Sequence, residues 1–254
     1  MRVTPVPPTH AWCFLPGRRL AARLSAVTPP PDRPLALGEL FAETIRIYGE
    51  RVWAAFGLGA FTAAALVVGY ATGHPVPFVV VLSLAFTAAF AAAARLVAGD
   101  EFREAWGQVA LRVPTLLVLT VVVSVPFALG RIDPIILVFA VAWLAGTGFS
   151  IPVAVVERDE SASTWFSRLG FALQRSLTLA RAEFLHAMGI IAALVVVYYL
   201  LGVILAGALA GFADNSAAVA TLLVQIVLAP FFFLGLAVLY FEQRARLAVR
   251  PVGR

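Results

Sequence analysis

The side chains able to do acid–base or metal chemistry are few. The sequence holds three histidines, His10, His74 and His186, one cysteine, Cys13, and fourteen carboxylates. A metal site needs several nitrogen, sulfur or carboxylate ligands at loop or helix spacing, and no Glu/His or Cys/His cluster of that kind occurs. No Gly-x-Ser-x-Gly elbow presents a nucleophile, and no glycine-rich loop follows a strand to cradle phosphate. A single cysteine excludes an intrachain disulfide. No catalytic, cofactor-binding or metal-binding residue is expected. What remains is arginine: all nineteen basic residues are Arg. Four of them, Arg175, Arg181, Arg244 and Arg246, flank the last two apolar segments. Guanidinium groups bind phosphate through paired hydrogen bonds, so these four are candidate contacts for lipid phosphate. Glu183 and Glu242 are close enough in sequence to pair with them instead, which would leave the arginines a structural role.

The elements that must position those arginines are apolar. Of 254 residues 61% are hydrophobic and only 13% charged, and the mean hydropathy is +0.93. Soluble domains carry about 25% charged residues, so the composition is that of an integral membrane protein. A bilayer core of about 30 Å needs about 20 apolar residues per helix. Six segments qualify, near residues 52–72, 77–98, 113–130, 134–156, 185–212 and 217–240. Connections after the first, third and fifth are short ("TGHPVP", "GRID", "FADNS"), so the six spans pair as three hairpins. Eighteen arginines fall on the opposite side from those turns and only Arg131 beside them. By the positive-inside rule both termini are cytoplasmic, in a cell inner (plasma) membrane. A pI near 10.1 reflects these orientation signals and not a nucleic-acid partner; the expected partners are membrane lipids and membrane or cytoplasmic proteins.

Three segments ahead of the hairpins show helical amphipathic spacing and are expected as cytoplasmic interfacial helices. Over residues 37–50, Leu37, Leu40, Phe41, Ile45 and Tyr48 form one face and Glu39, Glu43, Arg46 and Glu50 the other. In "DEFREAWGQVALRVP", Phe102, Trp106, Val109 and Val113 share a face. In "WFSRLGFALQRSLTLARAEF", Phe166, Leu169, Leu173, Leu177, Ala180 and Phe184 do so. The expected class is therefore all-α and polytopic, with a disordered Pro/Arg-rich tail over 1–34, a six-span domain over 35–247 and a short C-terminal tail over 248–254.

The spans carry no ionisable residue near their centres. Gln225 is the most polar, with Ser83, Thr87, Thr120, Ser124, Thr147 and Ser150 as mild polar groups suited to packing. Gly207 and Gly211, and Ala142, Gly146 and Ser150, have the four-residue spacing of close helix contacts. Pro126, Pro152 and Pro230 free backbone carbonyls inside spans and hint at an internal cavity.

Three stretches, "LALGELFAETIRIYGERV", "ALQRSLTLARAEFLHAMGI" and "LYFEQRAR", resemble segments of the glycerophosphoryl diester phosphodiesterase membrane-domain family of bacterial six-span proteins. Arg175, Ser176, Arg181 and Phe184 match the middle motif, and Tyr240, Arg244 and Arg246 the last, with Glu242 in place of Asp. The resemblance covers residues 35–247 and implies topology more than activity. None of the three histidines is followed by Arg-Gly, the motif of the soluble phosphodiesterases. Three functions fit: a non-enzymatic membrane protein organising lipids or partners at the cytoplasmic face, a transporter or lipid-handling protein with a site between the hairpins, and, least well supported, a membrane enzyme of lipid metabolism.

Overall fold

The computed structural model describes residues 33–129, 134–157, 164–209 and 216–249. Most of the tail over 1–34, and residues 250–254, lie outside the described residues. Among the described residues there are ten helices and no strand. They are α1 (Leu37–Glu50), α2 (Val52–Ala71), α3 (Pro75–Val97), α4 (Phe102–Leu111), α5 (Val113–Leu129), α6 (Pro134–Thr147), α7 (Ser150–Val156), α8 (Trp165–Ala180), α9 (Phe184–Leu209) and α10 (Ser216–Val249). Five stretches are long and apolar enough to cross a membrane: α2, α3, the α6–α7 run Val138–Val156, α9 and α10. A sixth arises if α4 and α5, bent by 84° to one another, are taken together. The chain is a helical protein of membrane-spanning character. α10 outruns its apolar segment and continues to Val249; 34 residues extend about 51 Å, well beyond a hydrocarbon core of about 30 Å.

Local chemistry sets the breaks. Gly99 has φ +106°, and the hydrogen bonds Gly99 N–H to Leu96 O (3.0 Å) and Asp100 N–H to Arg95 O (3.1 Å) close α3 in a Schellman motif. Asp100 then pairs with Arg95 at 2.5 Å, and Arg51 donates to the Asp100 carbonyl. Gly73, at φ +63°, turns the chain after α2. His74 Nδ1 accepts from the Val76 amide (3.3 Å), and Pro75 occupies the first position of α3, where its missing N–H costs nothing. That accounts for His74: it caps a helix. At α1 the Glu39 carboxylate accepts from the Ala36 amide (2.9 Å) and from Arg33 (2.8 Å). Those partners, Arg33 first, hold its carboxyl below the ordinary carboxylate value.

Helices pack here through small residues, because lipid tails offer large apolar side chains as good a home as protein does. The second half of α3, Ala89 to Ala94, is buried throughout and is surrounded by α2, α4, α5, α7 and α10. α10 packs on α1, α2, α3, α8 and α9, and the successive pairs α2–α3, α5–α6 and α9–α10 are each in contact. The tightest approach is at Gly59, where an added Cβ would lie 2.1 Å from the Ile226 carbonyl oxygen of α10. Pro230 has no N–H to return to Ile226, four residues back, so that carbonyl lacks its helical partner and Gly59 lies against it. Next to it, the Val227 carbonyl accepts from the Tyr48 hydroxyl (3.1 Å). Ala55, Gly59 and Ala63, all buried on α2, have the four-residue small spacing.

The buried faces differ from the expected ones. On α1, Leu40, Thr44 and Ile47 are buried, whereas Leu37 and Ile45 are exposed. α1 does not lie alone: Arg246 donates to the Leu35 carbonyl (3.0 Å), Phe41 stacks on Phe231 (6.1 Å) and Tyr48 reaches Val227, so α1 runs alongside α10. On α4 the buried residues are Ala105 and Val109; Trp106 packs edge-on against Phe61 at 4.7 Å, and Phe102 and Val113 are exposed. On α8, Ala172, Ser176, Leu179 and Ala180 are buried, while Phe166, Leu177 and Phe184 are exposed. The Ser176 hydroxyl donates to the Gly146 carbonyl at 2.8 Å, joining α8 to α6. Among the described residues nothing lies within 4 Å of a Cβ added at Gly207, so the expected close contact is not seen there; Gly211 lies outside the described residues.

Candidate functional site

Two features could bind something: a layer of charged side chains at the Arg-rich end of the bundle, and a cavity among the spans.

The charged layer divides between two faces of α10. On one face the Glu242 carboxylate is wholly buried. Arg246, one turn later, donates Nε to Glu242, Nη1 to Glu183, and Nη2 to the Leu35 carbonyl. His186 Nε2 lies 3.1 Å from Arg246 Nη2 and 3.5 Å from Glu242 Oε1. Gln243 Nε2 donates to the other Glu242 oxygen at 2.9 Å. A buried carboxylate needs this many donors, since an unpaired one would cost several kcal/mol. The Arg246 guanidinium is engaged on all sides by the protein itself.

The other face carries Tyr240, fully buried, whose hydroxyl donates to Glu157 Oε1 at 2.9 Å. Arg175 Nε donates to Glu157 Oε2 at 3.1 Å, linking α8 to the end of α7. Arg244 is one turn beyond Tyr240, exposed and near enough to act electrostatically, like Arg175, on the Tyr240 hydroxyl. Arg244 makes no ion pair with a described residue. Arg181 caps the end of α8 and has a partner of its own. Three of the four candidate arginines are thus spread over two networks, and Arg181 sits at the end of α8. Arg175 and Arg244 share one network, and Arg246 belongs to the other. Among the described residues no group of three or more His, Cys, Asp or Glu could hold a metal ion.

The cavity has a volume of about 330 Å³ and lies among α3, α5, α6, α7, α9 and α10. Leu82, Phe86, Phe90, Val123, Val195, Phe232 and Phe233 are among the residues of its wall. Polar atoms enter at four places: Ser83 and Thr87, one turn apart on α3, Ser124 on α5 and Tyr198 on α9. Gln225 Nε2 donates to the Tyr198 hydroxyl at 3.0 Å. Among the described residues no carboxylate, guanidinium or imidazole lines it. A second, more open apolar groove of about 500 Å³ runs between α2, α3, α4 and α5, and Thr87 borders both. Six helices contribute to the first cavity, and of the features read in the sequence only the prolines in the spans pointed to it.

No family model, curated protein or solved structure matches the chain.

Proposed function

We propose that the chain is a polytopic, non-enzymatic membrane protein that takes hydrocarbon from the bilayer into the cavity between its helical hairpins. The observation carrying this reading is the cavity itself: about 330 Å³, within the range of ligand sites, mostly apolar with a few convergent polar groups. A bundle packed to native density would leave few voids larger than a water molecule. In this reading α4–α5 supplies the sixth span and α1, α4 and α8 sit at the cytoplasmic surface. Both termini are cytoplasmic, because eighteen of the nineteen arginines share that side. The resemblance to the glycerophosphoryl diester phosphodiesterase membrane-domain family is in keeping with the same six-span plan in an inner membrane. The test is mass spectrometry of lipid carried through purification. Val195→Phe and Leu82→Phe, which extend side chains into the cavity, should reduce the retained lipid in a folded protein; unchanged retention by both would sink the proposal.

A second reading is favoured by Arg244, exposed and without an ion pair to a described residue beside Arg175: the cytoplasmic face gathers anionic lipid or a protein partner there. Binding of phosphatidylglycerol vesicles by the wild type and by an Arg175→Gln, Arg244→Gln variant separates the two. Equal binding would leave these arginines with topology and ion pairing alone.

A further inference from the structure

Hydroxyl groups in membrane helices normally return to a carbonyl of their own helix. Here Thr62 donates to Gly59 O, Thr120 to Leu116 O, Thr147 to Trp143 O and Ser150 to Thr147 O, at 2.6 to 3.0 Å. Ser83, Thr87 and Ser124 do not: none has a hydrogen-bond partner among the described residues, and all three line the cavity. Tyr198 on α9 is another lining residue. Its hydroxyl oxygen already accepts from Gln225, so its proton remains available to donate.

Resting on the cavity reading above, we propose that the occupant is a neutral hydrocarbon carrying a carbonyl oxygen, an ester or a ketone, held by these hydroxyl donors. The chemistry selects that class on three grounds. A charged head has no counter-charge in the wall, and desolvating an ion there would cost far more than the hydroxyls return. A plain alkane would leave the hydroxyls as they are, unpaired in an apolar space, where each unmade hydrogen bond is unfavourable. A carbonyl accepts two hydrogen bonds and brings no donor that would itself need a partner. The volume of about 330 Å³ is about twice that of an engineered cavity known to hold benzene, and holds about eleven non-hydrogen atoms at liquid density. That fits one carbonyl with a medium-length acyl segment.

Two probes of matched length decide the matter: methyl octanoate with a ¹³C-labelled carbonyl, and decane. Both are titrated into the delipidated full-length protein in micelles of dodecyl maltoside, a detergent without a carbonyl group, and the ester's carbonyl stretch is followed by infrared spectroscopy. The wild type should bind the ester about tenfold more tightly than the alkane, one to two hydrogen bonds' worth, and the bound carbonyl band should move to lower frequency. The Ser83→Ala, Thr87→Val, Ser124→Ala triple variant and, independently, Tyr198→Phe should reduce that preference and the band shift. Equal affinity for both probes in the wild type, with no band shift, would overturn the carbonyl assignment and leave the cavity reading standing. If the folded wild type bound neither probe, the cavity reading would fail and the assignment with it.

Discussion

Gly59→Ala is a one-carbon change with a large expected effect. Its Cβ would lie 2.1 Å from the Ile226 oxygen and 2.6 Å from the Ile226 carbonyl carbon. Both are backbone atoms, so no rotamer change relieves the clash. A carbon approaches a carbonyl oxygen to about 3.3 Å, so α2 and α10 must part locally by about 1.2 Å. A gap of 0.5–1 Å already forfeits about a quarter to a half of each contact's dispersion energy. With about 25 atom pairs along the Ala55–Gly59–Ala63 seam, at about 0.15 kcal/mol each, the loss is about 1–2 kcal/mol. Overpacking strain adds about 1 kcal/mol, and the gain in helix propensity returns about 0.5–1 kcal/mol. The net expectation is a destabilisation of about 2 kcal/mol. Gly207→Ala is the matched control, since nothing lies within 4 Å of its Cβ, and it should be neutral or stabilising by up to about 1 kcal/mol. The assay is unfolding by SDS in mixed micelles, read by circular dichroism. Equal midpoints for the two variants would refute the argument that α2 and α10 meet backbone to backbone.

Glu242→Gln breaks a buried charge pair and should cost about 3–5 kcal/mol, whereas Glu183→Gln, whose side chain is 48% exposed, should cost under about 1 kcal/mol in the same assay. Trp106→Asp removes the contact with Phe61 and should destabilise by about 2–4 kcal/mol from lost burial and the aromatic pair; an unchanged midpoint would show that α4 is not docked. Glu39 bridges Arg33 and the Ala36 amide, and its carboxyl is held below the ordinary value of 4.5. Its contribution to α1 is therefore complete above that value and lost as pH falls through the lowered one, so amide exchange in the first turn of α1, corrected for intrinsic rates, should be flat from pH 7 to 5 and rise only in stronger acid. A reporter active only in the cytoplasm, fused after Arg254, should be active; its export would reverse the proposed orientation.

The spanning segments were legible from apolar length alone, since α2, α3 and α9 begin and end within a few residues of the apolar runs. The faces were not. In water the apolar face is the buried one, but beside a bilayer Ile45, Phe166 and Leu177 are at home outside while Ala105, Ala172 and Ser176 make the contacts. Small spacing was the better signal. It misled at Gly207, and it went unread in Ala55-x-x-x-Gly59-x-x-x-Ala63, where the decisive partner, the Ile226 carbonyl freed by Pro230, lies more than 160 residues away. The ion pairing of Arg246 with Glu242 and Glu183 was among the readings the sequence allowed, because Glu242 precedes Arg246 by one helical turn. The cavity was no more than hinted at by the prolines in the spans, because its wall is assembled from helices spread from α3 to α10.

α10, which packs on α1, α2, α3, α8 and α9, is the last of the described helices to be synthesised. Until it arrives, the small-residue groove of α2 and the face of α1 have no protein partner, and the contact from Arg246 to Leu35 joins residues 211 positions apart. Helices made earlier therefore keep these surfaces open until α10 is made, and the packing of α1 and α2 is completed only by an element more than 150 residues further along the chain.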